Sequence, residues 1–191
     1  RKNAVSIRTS GRMSPEQLPA RAGYAAAAIL AEALDGVVYD EVARRIESAR
    51  TTLGHVITAP LGQSVFAPRQ IVVQLYRQED GTARLLTLGM ARLGSPDLSM
   101  RGANMTSGPH LVHVINYVAK EIASGKNDTT LTITLDDIAR FLGKKPGELN
   151  PNAGGARPVT FDITEPERQE GDPDNELAEL VPKGGATREN W

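Results

Sequence analysis

"RQIVVQLYRQEDGTARLLTLGM", residues 69–90, decides how this chain is read. Ile71, Val73 and Leu75 alternate with Val72, Gln74 and Tyr76, the two-residue period of a strand whose successive side chains point to opposite faces. "EDG" (79–81) supplies turn chemistry and "TARLLTLGM" (82–90) returns as a partner strand, so the stretch predicts a β-hairpin. An isolated hairpin is marginal in water and needs further strands or a helix against it.

The flanking sequence offers both. "SGPHLVHVINYVAKEIASG" (107–125) has Ser107 or Gly108 as cap, Pro109 at the first helical position and Gly125 as the stop. Its apolar stripe of Leu111, Val112, Ile115, Val118 and Ile122 predicts a helix lying on Ile71, Val73, Leu86 and Ile133. "TTLTITLDDIARFLG" (129–143) reads as a strand followed by a short helical turn. Upstream, "AVSIR" (4–8) alternates like a short strand. An alanine-rich helix is expected from Leu18 or Ala22 to Leu34, with Tyr24, Ala27, Ala28, Leu30 and Leu34 toward a core. "GVVYD" (36–40) reads as a buried strand. "DEVARRIESARTTLGHVI" (40–57) reads as a short exposed helix, with Val42, Ile46 and Ala49 on one side and Arg44, Arg45 and Arg50 on the other. "GHVITAPLGQSVFAP" (54–68) is broken by Gly54, Pro60 and Gly62 and reads as a long connection.

From Lys144 onward Gly, Pro and charge dominate, apart from "PVTFDI" (158–163) and "ELAELV" (176–181). The organisation read from this is an α+β domain at 1–143 and an extended, partly ordered segment at 144–191 draped on it. The element order predicts an α+β fold of ferredoxin-like character: a mixed or antiparallel sheet with helices mainly on one face.

Composition narrows the function classes. The chain has 191 residues, 22 Lys and Arg against 23 Asp and Glu, and 4% aromatics. Near-zero net charge removes the electrostatic footprint of non-specific nucleic-acid binding, and few aromatics leave few stacking platforms for single strands. Zero cysteine excludes disulfides, thiolate zinc sites and cysteine nucleophiles. The longest apolar run, "AAAAILAEAL" (25–34), is interrupted by Glu32 and falls far short of the roughly 20 residues a membrane span needs. The expected location is cytoplasmic, although the chain opens at Arg1 rather than Met and leaves room for a targeting segment upstream.

After the hairpin comes "TLGMARLGSPDLSMRG" (87–102), dense in breakers and carrying Arg92 and Arg101. Gly89 and Gly94 permit positive φ where a strand leaves a sheet, and Pro96 prevents further ladder pairing, so the stretch reads first as a corner. Thr87, Gly89, Met90, Gly94, Pro96, Asp97 and Leu98 stand in the order T-x-G-M-x-x-x-G-x-P-[DE]-[LI]. With "LAEALDGVVYDE" (30–41) and "EGDPDNELAELVP" (170–182), this resembles a bacterial family of uncharacterised domains. The resemblance implies one continuous domain including the tail; it implies no activity, cofactor or site residue.

Four constellations carry the functional reading. The start of the 109–122 helix, with its free backbone N–H groups, Ser107, His110 and a guanidinium from Arg92 or Arg101, is the candidate anion or ligand site. "GANMTSG" (102–108) lacks the G-K-[ST] ending of a phosphate loop. His110 and His113 lie three apart on one helix side near Tyr117; Asp97, Asp40 or Glu121 are third-ligand candidates, but no metal motif accompanies them and no metal or other cofactor is expected. Ser64 in "GQSVF" and Ser95 in "GSPD" have no nucleophile elbow or assigned base. The acids at Asp35, Asp40 and Glu41, and at Asp136 and Asp137, read as strand ends and caps. Strong folding signals beside weak catalytic ones point to a non-catalytic module that binds a protein partner or assembles with itself. The alternative is a small-anion or ligand-binding, or hydrolytic, domain using the cleft between Gly89 and His113.

Overall fold

The 72–88 hairpin forms one flank of a larger sheet. The computed structural model describes residues 4–11, 16–57, 66–106, 108–126, 128–149 and 157–184. Within them run α1 (Leu18–Ala33), β1 (Val37–Asp40), β2 (Arg45–Ser48), α2 (Ala49–Ile57), β3 (Val72–Arg77), β4 (Ala83–Leu88), β5 (Asp97–Ala103), α3 (Gly108–Ala123), β6 (Thr130–Ile133), α4 (Leu135–Phe141), α5 (Pro146–Leu149), β7 (Val159–Thr164) and β8 (Leu177–Pro182). The fold is α+β: β1 and β2 form a two-stranded sheet, and the other six strands form one mixed sheet in the order β3-β4-β5-β8-β7-β6. Among the described strands only β5 and β8 pair in parallel. This order, with six strands, departs from the ferredoxin-like arrangement expected from the sequence.

The largest departure is the tail. β8 lies between β5 and β7 inside the sheet, so residues 159–182 are part of the domain rather than a draped segment. "TFDI" and "LAEL" alternate like any half-buried strand: Phe161, Ala178 and Leu180 face the core, while Asp162 and Glu179 take the other side.

α3 covers one face. Leu111, Ile115, Val118 and Ile122 are buried there against Leu85, Leu98 and Met100, as helical spacing over a strand surface requires. The strand residue that meets the helix is Leu85; Leu86 belongs to the opposite face, in a second cluster with Leu88 and Leu177. An added Cβ on Gly108 would come within 3.2 Å of Leu75, so the first turn of α3 runs close over β3. α4 begins on a reciprocal cap: Thr134 Oγ1 accepts from Asp137 N–H at 3.1 Å, and Asp137 Oδ2 accepts from Thr134 N–H at 2.9 Å.

The N-terminal third differs more. Residues 4–8 join no ladder; the extended segment runs beside α1, with Thr9 against Gly23 and Gly11 against Pro19. β1 and β2 form a hairpin across a turn in which Arg44 takes φ 49°, so "ARRIES" contributes a strand and the helix starts only at Ala49. The "buried strand" at 37–40 is buried on alternate residues only, with Val37 66% and Tyr39 61% exposed. Leu30 and Leu34, expected in the core, are exposed.

Candidate functional site

The breaker-rich stretch folds as a corner in which nearly every patterned residue has a local task. Thr87 Oγ1 accepts the Leu98 N–H at 2.7 Å and donates to Asp97 Oδ1 at 2.9 Å. The same carboxylate oxygen accepts the Met90 N–H at 3.0 Å, and Oδ2 accepts from Asn175 at 2.9 Å, which ties the corner to the start of β8. Asp97, Met90 and Leu98 are fully buried. Gly89 has φ 118°, and a Cβ there would stand 2.9 Å from the Gln70 carbonyl oxygen; Gly94 closes the turn Met90–Leu93 at φ 70°. The chemistry that makes T-x-G-M-x-x-x-G-x-P-D-L is therefore satisfaction of buried backbone groups where one strand ends and the next begins.

Arg92 leaves this corner for the N-terminal unit. Its Nη2 donates to Asp40 Oδ1 at 3.0 Å, its Nη1 lies 3.0 Å from Oδ2, and its guanidinium sits 5.2 Å from the centre of the Tyr24 ring. Asp40 also accepts from Tyr24 Oη at 2.5 Å and from Ala43 N–H at 3.0 Å, and Arg45 Nε stands 3.6 Å away. Burial pushes the Asp40 carboxyl above the usual aspartate range, against the pull of the Ala43 N–H and the Arg45 charge. Burial likewise lowers Arg92 to about 10, opposed by the charge of Asp97. Arg45 also reaches Glu47 at 3.3 Å, so two cations and two carboxylates form a charge-balanced cluster.

Arg101 is on the other side of the sheet. Leu98 and Met100 point into the α3 core, so Ser99 and Arg101 point away from it by alternation. β5 carries one extra residue between Met100 and Ala103, absorbed at Gly102 with φ 73°, which returns Ala103 to the core. Arg101 Nε lies 3.3 Å from Glu179 Oε2, and Nη2 donates to the Glu167 carbonyl. Beside it, Arg84, only 3% exposed, pairs with Asp172 through Nη1 at 2.6 Å and Nη2 at 3.1 Å and donates from Nε to Ser99 at 2.9 Å. Residues 165–176 cross this face as a strap. Burial raises the Glu179 carboxyl, with Arg101 and Arg84 pulling down.

The residues singled out around the start of α3 are thus dispersed. Arg92 holds Asp40, Arg101 holds Glu179 on the face away from α3, and His110 is exposed on the helix; Ser107 lies outside the described residues, as does Ser64. His113 is pushed below the usual histidine range by burial, then by His110 and Lys144. Among the described residues no group of three or more His, Asp or Glu side chains is placed to hold a metal. Sequence reading missed Arg84, Asp172, Glu179, Tyr24 and Arg45 as partners; Arg84, a lone charge inside the otherwise uncharged strand sequence "ARLLTL" (83–88), was the legible signal.

The least satisfied surface is apolar. Along α1, Leu18, Ala22, Ala26, Ile29 and Ala33 recur at steps of four, four, three and four, and all are exposed. Ala28 and Ala31 on another face are buried, so this helix is apolar nearly all round. The β1–β2 hairpin adds an outward face of Val37, Tyr39 and Ile46, with Tyr39 directly opposite Ile46, while Val38, Asp40, Arg45 and Glu47 occupy the inner side. Ile46 is 68% exposed. Among the described residues no helix is long and apolar enough to cross a membrane. Comparison of the chain with family models, with curated proteins and with solved structures gives no match.

Proposed function

We propose that this chain is a non-catalytic protein-binding module whose contact surface is the outward face of α1 and the β1–β2 hairpin. The observation that carries this reading is the exposed stripe Leu18, Ala22, Ala26, Ile29 and Ala33 on a helix that buries Ala28 and Ala31 on its opposite face. A helix apolar all round belongs in an interior, and a contiguous exposed apolar surface of several hundred Å² marks an interaction site. Val37, Tyr39 and Ile46 on the hairpin are exposed apolar residues as well. Balanced charge favours a protein partner over nucleic acid. A cytoplasmic location, and kinship with the uncharacterised bacterial domains that share the corner motif, are parts of the same proposal.

The rival reading, an anion or ligand cleft between Gly89 and His113, has less support. Arg92 and Arg101 are each engaged by a carboxylate, in two different clusters. The test is site-specific photo-crosslinking in cells from a benzoylphenylalanine at Ile29 or Tyr39, with Glu79 in the exposed β3–β4 turn as the control position. The reading expects a discrete adduct from Ile29 and Tyr39, identified by mass spectrometry and reproduced with purified components. Adducts no stronger than those from Glu79 would overturn it.

A further inference from the structure

We infer that the sheet face beneath residues 165–176 is a binding site for an extended acidic peptide segment, and that the chain's own strap occupies it as an intramolecular competitor. The site is separate from the α1 face and stands independently of the reading given for that face.

The strap is longer than its connection requires. β7 and β8 are adjacent antiparallel strands, and about two to five residues suffice to join such a pair. Here residues 165–176 lie between them and cross β8 and β5 to reach β4, where Asp172 meets Arg84. Long irregular connections within a compact domain are typically binding loops or lids.

The grip on the strap is that of a peptide site. Arg84 holds the Asp172 carboxylate with two N–H groups, at 2.6 and 3.1 Å, while its Nε is fixed by Ser99 and Nη1 also reaches Gln169 Oε1 at 3.0 Å. Arg44 holds the Gly171 carbonyl at 2.9 Å, and Arg101 Nη2 holds that of Glu167. Main-chain carbonyls are common to every sequence, so a carboxylate anchor with two backbone contacts upstream of it suits an extended acidic segment, whereas a lone inorganic anion would use the anchor only.

The occupant is separable from the fold. Arg92 and Arg101 have their counter-ions in regular strands, Asp40 in β1 and Glu179 in β8, but the counter-ion of Arg84 sits on the strap. Among residues 165–176 only Pro173 is buried; Glu165, Glu167, Glu170, Asp174 and Glu176 are exposed. With so little apolar burial the strap can lift while the sheet stays paired. Leu86 and Leu88 share the Arg84 face of β4, and an apolar residue at 84 would complete that surface without burying a charge. The strap sets six acids against Arg168 and leaves a surplus of basic residues on the rest of the chain, so a rival acidic segment is drawn to the same place. Tethering gives the strap an effective concentration on the order of mM, which keeps the site closed by default.

The probe is a fluorescein-labelled synthetic copy of residues 165–176, followed by anisotropy against the full chain carrying Asp172→Asn and against a chain in which a short Gly-Ser linker replaces 166–174. Each is expected to bind the probe about tenfold more tightly than the unmodified chain, because neither retains the charge-assisted pair to Arg84 in cis. That gain is expected to vanish when Arg84→Met is added, or when the probe itself carries the Asp172→Asn change. In the unmodified chain, saturating probe should speed amide exchange across 165–176 and leave β5 and β8 protected. Binding that survives Arg84→Met would be general charge attraction and would overturn the site. Folded variants that ignore the probe, strap amides that exchange only together with β5 and β8, or loss of fold in both variants would each make 165–176 a fixed structural loop and overturn the inference.

Discussion

Arg92 shows how much one side chain can carry between parts of a chain 52 positions apart. Its guanidinium and the Asp40 carboxylate are both buried, and the attraction between them offsets only part of the cost of taking two charges out of water. Removing one partner leaves the other charge buried and alone. Arg92→Ala is therefore expected to lose about 3–5 kcal/mol in urea melts, well beyond an ordinary surface change, with the Arg92→Ala, Asp40→Ala double variant losing less than the sum of the two. The sign for pH follows from Asp40, whose folded pKa is raised above the ordinary 3.8. The native state then holds the proton longer than the unfolded chain, so this group makes stability fall as pH rises from 3.8 through the raised value. Stability curves of Asp40→Asn should lack that decline. Within the corner, Thr87→Val removes the acceptor of the buried Leu98 N–H and is expected to cost about 1–3 kcal/mol. Sequence reading identified the corner because Gly, Pro and Asp announce turns; it gave Arg92 a role at α3 because nothing local reveals an ion pair with residue 40.

At the scale of elements, α3 was the most legible. Its stripe at helical spacing is buried as expected, so Ile115→Ala should cost about 2–5 kcal/mol as a large-to-small core change, measured by the same urea melts. A value near zero would mean that the helix is not seated on the sheet. The strap at 165–176 was not legible, since a run of charged residues reads as solvated surface until Arg84 is seen beneath it. Burial raises the Asp172 carboxyl, but the hydrogen bonds from Arg84 and the Gln169 N–H outweigh it, and the net shift is downward from 3.8. A depressed carboxylate stabilises the fold above 3.8 and loses that contribution as pH falls through the lower folded value. Asp172→Asn should therefore flatten the acid limb of the stability curve below pH 3.8, and amide exchange should rise across 165–176 before it rises in β5 or β8. Exchange that rises equally everywhere would show that the strap opens only with the whole molecule.

For the molecule as a whole, the position of β8 between β5 and β7 makes the C-terminal part indispensable. A chain ending at residue 157 would leave β5 with an open edge, β6 without a neighbour and Phe161, Ala178 and Leu180 missing from the core, so it is expected to be unfolded or aggregated by circular dichroism and light scattering. A folded monomer from that truncation would contradict the sheet order. The sequence by itself determined the α+β class, the β3–β4 hairpin, the span of α1, the span and buried face of α3 in outline, and the corner. Each of these is set by short-range physics: side-chain period, helix propensity, caps and the φ freedom of glycine. Only the tertiary structure decided that 159–182 enters the sheet, that Arg92 and Arg101 part to different carboxylates, and that α1 keeps an apolar stripe in the open. Those outcomes depend on which distant surfaces meet, and a strand's partners, a buried charge's counter-ion and a helix's uncovered face have no signature within a few residues of themselves.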